Sequence, residues 1–230
     1  MKSRTVGIIT YNFPHLKTEQ VIQGLLNTPP SLLTKLKIYA LPFVERKPRE
    51  VLINHRPNQI EAIAPQEIAY KHQIEFSICQ KDTDIDNSCD LYIITGSGII
   101  SSECILGKKI INCHPGIIPS VRGLDAFKWT IFDMKPLGVT IHYIDSKVDE
   151  GEIIAVIPTE VYRSDSFAIL ARRHYENEIN TLINFDKYLE KPINNYAQIE
   201  MENARKRMPL NVEKEVAHKF HEYVEKYGTL

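Results

Sequence analysis

Residues 91–115 read LYIITGSGIISSECILGKKIINCHP, and this stretch decides the fold. It contains two short apolar runs, Leu91–Thr95 and Lys109–His114, which are typical of buried strands. Gly96 ends the first run and Pro115 ends the second, as expected where a strand gives way to a turn. The stretch therefore predicts two strands of an α/β sheet.

The same pattern extends in both directions along the chain. Val6–Thr10, Lys37–Phe43 and Ile74–Ile78 are predicted strands, and the segments between them favour short helices. Val139–Ile144 and Glu152–Ile157 are separated by only seven residues, too few for a helical crossover, so we expect them to pair antiparallel. The chain is thus predicted to be α/β, with a doubly wound, mostly parallel, Rossmann-like sheet of about seven strands and helices on both faces.

The C-terminal part is predicted to be helical. Residues 164–189 favour one long helix capped by Ser164 or Asp165. Lys191-Pro192 marks a predicted boundary between a domain over 1–190 and a C-terminal helical extension over 191–230. The extension carries an apolar stripe at helical spacing, formed by Val212, Val216, Phe220, Tyr223, Val224 and Tyr227. Such a stripe packs on its own domain or on a second subunit; our hypothesis is the second, and we expect a homodimer.

Composition excludes several classes of protein. The 230 residues carry a net charge of −1, which gives no global attraction to nucleic acid or to an anionic membrane. No apolar stretch approaches the roughly 18 residues of a membrane span, and the run behind Lys2 and Arg4 is too short for a signal peptide. The four cysteines lack the spacing of a metal site or a redox pair. We expect a cytoplasmic protein without metal, nucleic-acid partner or membrane contact.

Two polar side chains stand where a ligand would bind. Asn112 and His114 are two residues apart on a predicted strand, so their side chains leave the same face. Pro115 ends that strand, which places the pair at its carboxyl end, the edge at which open α/β sheets bind ligands. A histidine in such a place is often structural, so these residues alone leave catalysis and structure both open.

The surrounding motif points to one family. The segment Asn112-Cys-His-Pro-Gly-Ile-Ile-Pro-Ser-Val-Arg-Gly-Leu124 resembles the signature of the folate-dependent formyltransferases. Gly138–Asp145, followed by Val148–Ile154, is similar to the segment in which that family carries its essential aspartate. The resemblance covers roughly residues 1–190, is strong over 110–155 and is weak over the first 90.

The resemblance implies a set of site residues. It implies that Asn112, His114 and Asp149 are catalytic, with Thr140 and His142 in supporting positions. For His142 a buried histidine bonded to the backbone remains an alternative. It also implies that two chain segments enclose the pterin of 10-formyltetrahydrofolate, the expected co-substrate. Their residues are Thr95, Gly96, Ser97, Gly98, Ile144, Asp145, Val148 and Gly151.

The residue types suit formyl transfer. When an amine attacks the formyl carbon, negative charge develops on the formyl oxygen, and positioned donors stabilise it. The Asn112 amide and a protonated His114 are such donors, and a nearby Asp149 would favour the protonated imidazole. This chemistry needs neither a covalent enzyme intermediate nor a metal.

Three branches of the family are candidate assignments for this chain. Glycinamide ribonucleotide transformylases hold a phosphate with a glycine-rich loop after the first strand, but here Thr10–His15 contains no glycine. Methionyl-tRNA formyltransferases have a large C-terminal domain, whereas 40 residues follow Glu190 here. The remaining branch formylates amino sugars attached to nucleotides, for bacterial surface polysaccharides, and its members have a short extension. Elimination therefore predicts a nucleotide-linked amino sugar as the acceptor.

Basic residues near the predicted site suit a phosphorylated acceptor. Arginine forks match a diphosphate, so we assign a set of basic residues to substrate binding. The set consists of Arg46, Arg49, His55, Arg56 and Arg122. An ordinary solvated loop is the alternative for the first four of them. A folate-binding sensor without catalysis and a hydrolase of the formyl donor are the alternative functions.

Overall fold

A computed structural model describes residues 4–30, 33–45, 49–145, 151–190 and 202–230. These residues form one seven-stranded sheet in the order β3-β2-β1-β4-β5-β6-β7. The strands are β1 (Arg4–Tyr11), β2 (Leu33–Leu41), β3 (Glu75–Ile78), β4 (Leu91–Ile94), β5 (Ile110–His114), β6 (Gly138–Tyr143) and β7 (Ile153–Pro158). The helices are α1 (Leu16–Asn27), α2 (Pro65–His72), α3 (Ser102–Ile105), α4 (Ala126–Phe132), α5 (Phe167–Ile183), α6 (Phe185–Glu190) and α7 (Leu210–Tyr227).

The sheet is mostly parallel. β1 to β5 all pair in parallel, while β6 runs antiparallel to both of its neighbours. Both the predicted fold class and the predicted antiparallel pairing of β6 with β7 are therefore confirmed. The strand order reverses between β1 and β4, and the crevice at the carboxyl ends of such strands is where doubly wound sheets bind ligands.

Apolar residues cover the central strands on both faces. Val6, Ile8 and Ile38 are completely buried in the main core together with Val21 of α1 and Leu182 of α5. The alternate positions Ile9 and Tyr39 are buried in a separate cluster on the opposite face of the sheet. This is the burial expected of parallel strands between helical layers, and it explains why the strands are near-continuous apolar runs.

The larger differences from the predicted element boundaries concern β2 and the helix after β7. β2 begins at Leu33 rather than near Lys37, because it pairs with β1 along its whole length. The single helix predicted over 164–189 is instead two helices, α5 and α6, with Asn184 between them.

The cap of α5 also differs from the prediction. Ser166 caps the helix, and its Oγ accepts a hydrogen bond from the Ile169 N–H at 3.3 Å. The Asp165 carboxylate accepts from the Tyr162 N–H at 2.9 Å and pairs with Arg173 at 2.6 Å instead. Asp165 therefore joins the preceding turn to Arg173 of α5 rather than capping the helix.

The apolar stripe of the C-terminal helix is covered within this chain. Val216 and Tyr223 of α7 are fully buried in a second core that includes Phe127 and Trp129 of α4. The Tyr223 hydroxyl donates to the Lys135 carbonyl at 2.9 Å. Our hypothesis that this stripe docks on a second subunit is therefore wrong, although a homodimer formed through another surface stays a prediction. The predicted boundary at 191–192 lies outside the described residues.

The described part of the chain contains no helix with both the length and the apolar character needed to cross a membrane. Cys79, Cys104 and Cys113 are buried and Cys89 is half-buried, and all four are free thiols.

Candidate active site

The site begins with an asparagine and a histidine that face each other across two strands. Asn112 of β5 is the register partner of His142 of β6, and Asn112 Nδ2 lies 3.4 Å from His142 Nε2. His142 Nδ1 lies 3.0 Å from the Tyr143 carbonyl, which only accepts, so Nδ1 carries the proton in that contact. His142 Nε2 is then the acceptor for Asn112, and this contact orients the Asn112 amide.

His114 lies at the end of β5 under a tight turn. Its imidazole is 4% exposed, and Nε2 lies 3.0 Å from the Val121 carbonyl, to which it donates. Gly116 closes over the ring. A Cβ at this position would lie 2.9 Å from both His114 Nε2 and the Val121 oxygen, so only glycine allows the turn to approach this closely.

Thr140 supports that turn from the neighbouring strand. It pairs in register with His114, and its hydroxyl donates to the Gly116 carbonyl at 2.7 Å and accepts from the Ile118 N–H at 3.0 Å. The structure thus gives Thr140 and His142 different contacts. Thr140 holds the backbone after His114, and His142 holds the Asn112 side chain.

The turn after β4 lies beside the end of β1. The Thr95 N–H and the Gly96 N–H both donate to the Ile9 carbonyl, at 3.0 and 3.3 Å, and the Ser97 carbonyl accepts from the Tyr11 hydroxyl at 2.5 Å. By contrast, a Cβ at Gly98 would meet no atom within 4 Å. The predicted pterin segment therefore begins anchored to β1 and opens into free space at Gly98.

The second predicted pterin segment is described only at its ends. Ile144 is partly buried and packs against the buried cluster that includes Ile9 and Tyr92, and Asp145 is exposed. Gly151 is buried so tightly that a Cβ would lie 1.8 Å from the Tyr143 carbonyl oxygen. The predictions for Val148 and Asp149 lie outside the described residues.

The predicted substrate-binding arginines contact buried acids and backbone. Arg49 Nη2 lies 3.2 Å from Glu213 Oε1 and donates to the Met208 carbonyl at 2.9 Å, so it ties its segment to α7. Arg122 is 5% exposed and donates to the Glu202 carbonyl at 2.7 Å. These two side chains are thus directed toward the C-terminal part of the chain. Arg46 lies outside the described residues.

Arg56 joins a buried cluster that the sequence analysis missed. Glu178 of α5 is 1% exposed, and its two oxygens lie 2.6 Å from Lys17 Nζ and 2.5 Å from Arg56 Nη2. Burial alone would raise the pKa of Glu178, but Arg56 and Lys17 outweigh that effect and hold this pKa at about 2. Burial, with Lys17 and Arg56 adding to it, lowers the pKa of neighbouring His15 to about 4.

A detectable signal for this cluster was present in the sequence. Glu178 follows His174 by four residues, so it falls on the apolar stripe of α5, where a carboxylate needs a partner. His174 and His55 belong to the same region, with ring centroids 5.3 and 5.9 Å from that of Phe127. Burial lowers the pKa of His55 to about 3.

The site lies inside the part of the chain that has recognisable relatives. Residues 87–185, which carry Asn112, His114 and His142, match the family model described as formyl transferase. The chain is thus a doubly wound α/β protein in which this segment is similar to formyl transferases.

Individual relatives match shorter stretches. The chain is similar to phosphoribosylglycinamide formyltransferase of Bacillus subtilis, 36% identical over 73 residues, which is 31% of this chain and 37% of the relative. It is also similar to dTDP-4-amino-4,6-dideoxyglucose formyltransferase of Mycobacterium bovis, 45% identical over 49 residues, 21% of each chain. The matches thus span little more than a third of the first relative and about a fifth of the second.

One solved structure shares the fold over almost the whole chain. The X-ray structure of a sugar N-formyltransferase from a Shewanella species covers 96% of this chain, and 87% of that chain is covered. The TM-score is 0.60 and the sequence identity is 16%.

Proposed function

We propose that this protein transfers the formyl group of 10-formyltetrahydrofolate to a primary amine. The observation that carries the proposal is the placement of Asn112 and His114 two residues apart at the carboxyl end of β5, inside the segment that matches the formyl transferase model. Gly98 borders open space, and the adjacent Ile99 side chain, 85% exposed, offers the folate an apolar contact there.

The reaction uses these two side chains as charge stabilisers. The amine nitrogen bonds to the formyl carbon, the bond from that carbon to N10 of the folate breaks, and N10 gains a proton while the amine loses one. The Asn112 amide has two N–H groups. His142 accepts one of them, which leaves the other for the formyl oxygen. A protonated His114 adds positive charge beside the same oxygen. The role of Asp149 in keeping His114 protonated stays a prediction.

We propose that the amine is on a nucleotide-linked amino sugar. The loop after β1 supports this choice, because it is filled by aromatic side chains rather than by a glycine cradle. Phe13 stacks on Phe43 with ring centroids 4.4 Å apart, and the His15 ring lies against Gly96. A loop packed in this way leaves little free backbone for the phosphate of a ribonucleotide. The 45% identity to a dTDP-amino-sugar formyltransferase over 49 residues is in keeping with it.

The buried cluster gives the acceptor's phosphates an electrostatic partner. Lys17, Arg56 and Glu178 together retain one positive charge, because a single carboxylate serves two cations. The Arg56 side chain is 30% exposed, so its guanidinium is accessible to an anion. Of the basic residues assigned from the sequence, Arg56 is therefore the one that we propose for this role.

The test is turnover with defined acceptors. The protein is incubated with 10-formyltetrahydrofolate and either nucleotide-linked amino sugars, glycinamide ribonucleotide or methionyl-tRNA, and release of tetrahydrofolate is measured. We expect turnover with at least one amino sugar and a loss of at least about a hundredfold in a folded His114→Ala variant, the scale of losing a transition-state donor. Turnover confined to glycinamide ribonucleotide would refute the proposed acceptor. Turnover without any amine would indicate hydrolysis, and folate binding without turnover would indicate a sensor.

A further inference from the structure

His174 of α5 contacts the first backbone carbonyl after the proposed catalytic histidine. Its Nε2 lies 3.2 Å from the Pro115 oxygen, and Pro115 directly follows His114. His174 is 3% exposed and lies 60 residues from His114 along the chain, so this contact joins two distant parts of the fold. None of the functional roles described so far uses it.

The protonation state of His174 follows from its partners. The Pro115 carbonyl only accepts, so Nε2 carries the proton, and Nδ1 accepts from the Thr159 hydroxyl at 2.9 Å. The Asn177 amide donates in turn to that hydroxyl at 2.9 Å. The hydrogen bonds therefore run in one direction, from Asn177 through Thr159 and His174 to the backbone beside His114. They fix one tautomer of a neutral imidazole.

A neutral side chain is what this position requires. Burial is the largest of the influences that together bring the pKa of His174 down to about 4; Arg56 and His114 act in the same direction, and the Pro115 carbonyl and Glu178 act against it. His55 faces the same region across Phe127 and is itself neutral, since burial lowers its pKa to about 3. A charged His174 would oppose the positive charge that formyl transfer requires on His114, whereas a neutral donor holds the backbone without doing so.

The first two carbonyls of the turn after His114 are thus held by side chains from two different elements. His174 of α5 holds the Pro115 carbonyl, and Thr140 of β6 holds the Gly116 carbonyl. The turn returns to the imidazole at Val121, whose carbonyl accepts from His114 Nε2. A displacement of the Pro115 peptide therefore reaches His114 both through its own backbone and through the atom that its ring contacts.

From these contacts we infer that His174 is a positioning residue, whose neutral imidazole holds the Pro115 peptide and thereby fixes His114 for formyl transfer. The expected effect of His174 on kcat rests on the proposed function. The claim that His174 fixes the position of His114 does not.

A matched pair of substitutions tests the inference. In His174→Gln the amide nitrogen occupies about the place of Nε2 and retains the donor to Pro115, whereas in His174→Asn it reaches only about as far as Nδ1. We expect His174→Asn to lower kcat by about ten- to a hundredfold, the cost of a small misplacement of a reacting group, with the KM values for folate and acceptor within about twofold. His174→Gln should keep kcat within about threefold of the parent. Glu176→Gln, at an exposed position of the same helix, is the control.

Two further measurements keep the outcomes separate. The ring ¹⁵N signals of His114 report its environment without turnover, and they should move in His174→Asn and return toward the parent values in His174→Gln. Should His174→Asn fail to fold, Thr159→Val removes the hydroxyl that fixes the tautomer and should move the same signals, with Thr159→Ser restoring them. Unmoved His114 signals in a folded His174→Asn or Thr159→Val variant would overturn the inference. Equal losses of kcat in the Gln and Asn variants would do the same. A parent without formyl transfer, but with the expected signal changes, would count against the proposed function alone.

Discussion

Replacing Glu178 by glutamine measures how much the buried Lys17–Glu178–Arg56 cluster stabilises the fold. Glutamine keeps the shape of the side chain but leaves the Lys17 ammonium, whose side chain is 8% exposed, without an opposite charge. Removing one partner of a buried ion pair costs about 3–5 kcal/mol. Arg56 can turn toward water, since its side chain is 30% exposed, so the loss of its partner adds about 1 kcal/mol at most.

The expected loss of about 4 kcal/mol is large enough to measure by thermal denaturation at pH 7. For a domain of this size each kcal/mol lowers the Tm by about 2–4 °C, so we expect a fall of about 8–16 °C. Glu176→Gln is the matched control, because its side chain is 53% exposed and pairs with Arg172 one turn away. That change should cost less than about 0.5 kcal/mol.

A second substitution separates the lost charge partner from other effects of the glutamine. Lys17→Met, added to Glu178→Gln, removes the unpaired ammonium and should recover at least about half of the lost stability. A fall in Tm of less than about 2 °C for Glu178→Gln would refute the reasoning. So would a double variant that is no more stable than Glu178→Gln alone, because the buried ammonium would then not be the source of the loss.

Three further predictions follow from particular contacts. Gly151→Ala should lower stability by about 1–3 kcal/mol in thermal denaturation, because its Cβ would lie 1.8 Å from the Tyr143 carbonyl oxygen. Acidification from pH 6.5 toward pH 4 should lower the free energy of unfolding measured in urea, because unfolded His174 takes up a proton near 6.5 whereas its folded pKa is about 4; His174→Gln should flatten this dependence. Tyr223→Ala should lower stability by about 3 kcal/mol without changing the mass measured by light scattering, because the ring is buried within its own chain; a change of mass with unaltered Tm would contradict this.

The strands were predictable because each leaves a local signal. β4 and β5 are short apolar runs that end at Gly96 and Pro115, and burial on both faces requires that pattern. Their boundaries are less certain from sequence, since β2 extends to Leu33 through pairing with β1, a contact that no local pattern records.

The interpretation of α7 shows a different limit. Its stripe correctly predicted that one face is buried, and Val216 and Tyr223 are indeed fully covered. Helical periodicity predicts that one face of the helix is buried, but it does not identify the residues that cover that face. The covering residues, among them Phe127 and Trp129, are about 90 positions away in the chain, so the choice between domain and second subunit required the fold.

Some residues of the candidate site could be placed from the sequence, and others could not. Asn112 and His114 could be placed from sequence, because their spacing on one strand and the proline behind them fix both face and edge. The basic residues could not, because the anions that they meet come from distant elements: Arg49 meets Glu213, 164 residues on, and Arg56 meets Glu178, 122 residues on. A charged side chain on a loop is by itself evidence for a ligand only if no residue of the protein itself is its ion-pair partner.

This difference bears on how substrate choice is built into the proposed enzyme. The groups proposed to stabilise the formyl oxygen lie on one strand and its neighbour, so a short motif carries them. The acceptor's phosphates are proposed to meet Arg56, which lies on a loop in a cluster with Lys17 of α1 and Glu178 of α5, and no motif links these three residues. A family signature can therefore indicate the reaction while leaving the acceptor open.

If the single positive charge left by the cluster receives the acceptor's phosphates, Arg56→Lys should raise the KM for the acceptor and leave the KM for the folate unchanged. The reason is that an ammonium cannot contact both Glu178 and a diphosphate in the way that a guanidinium fork does. Steady-state kinetics with each substrate varied in turn measures this, and equal changes in both KM values would assign Arg56 to holding the fold alone.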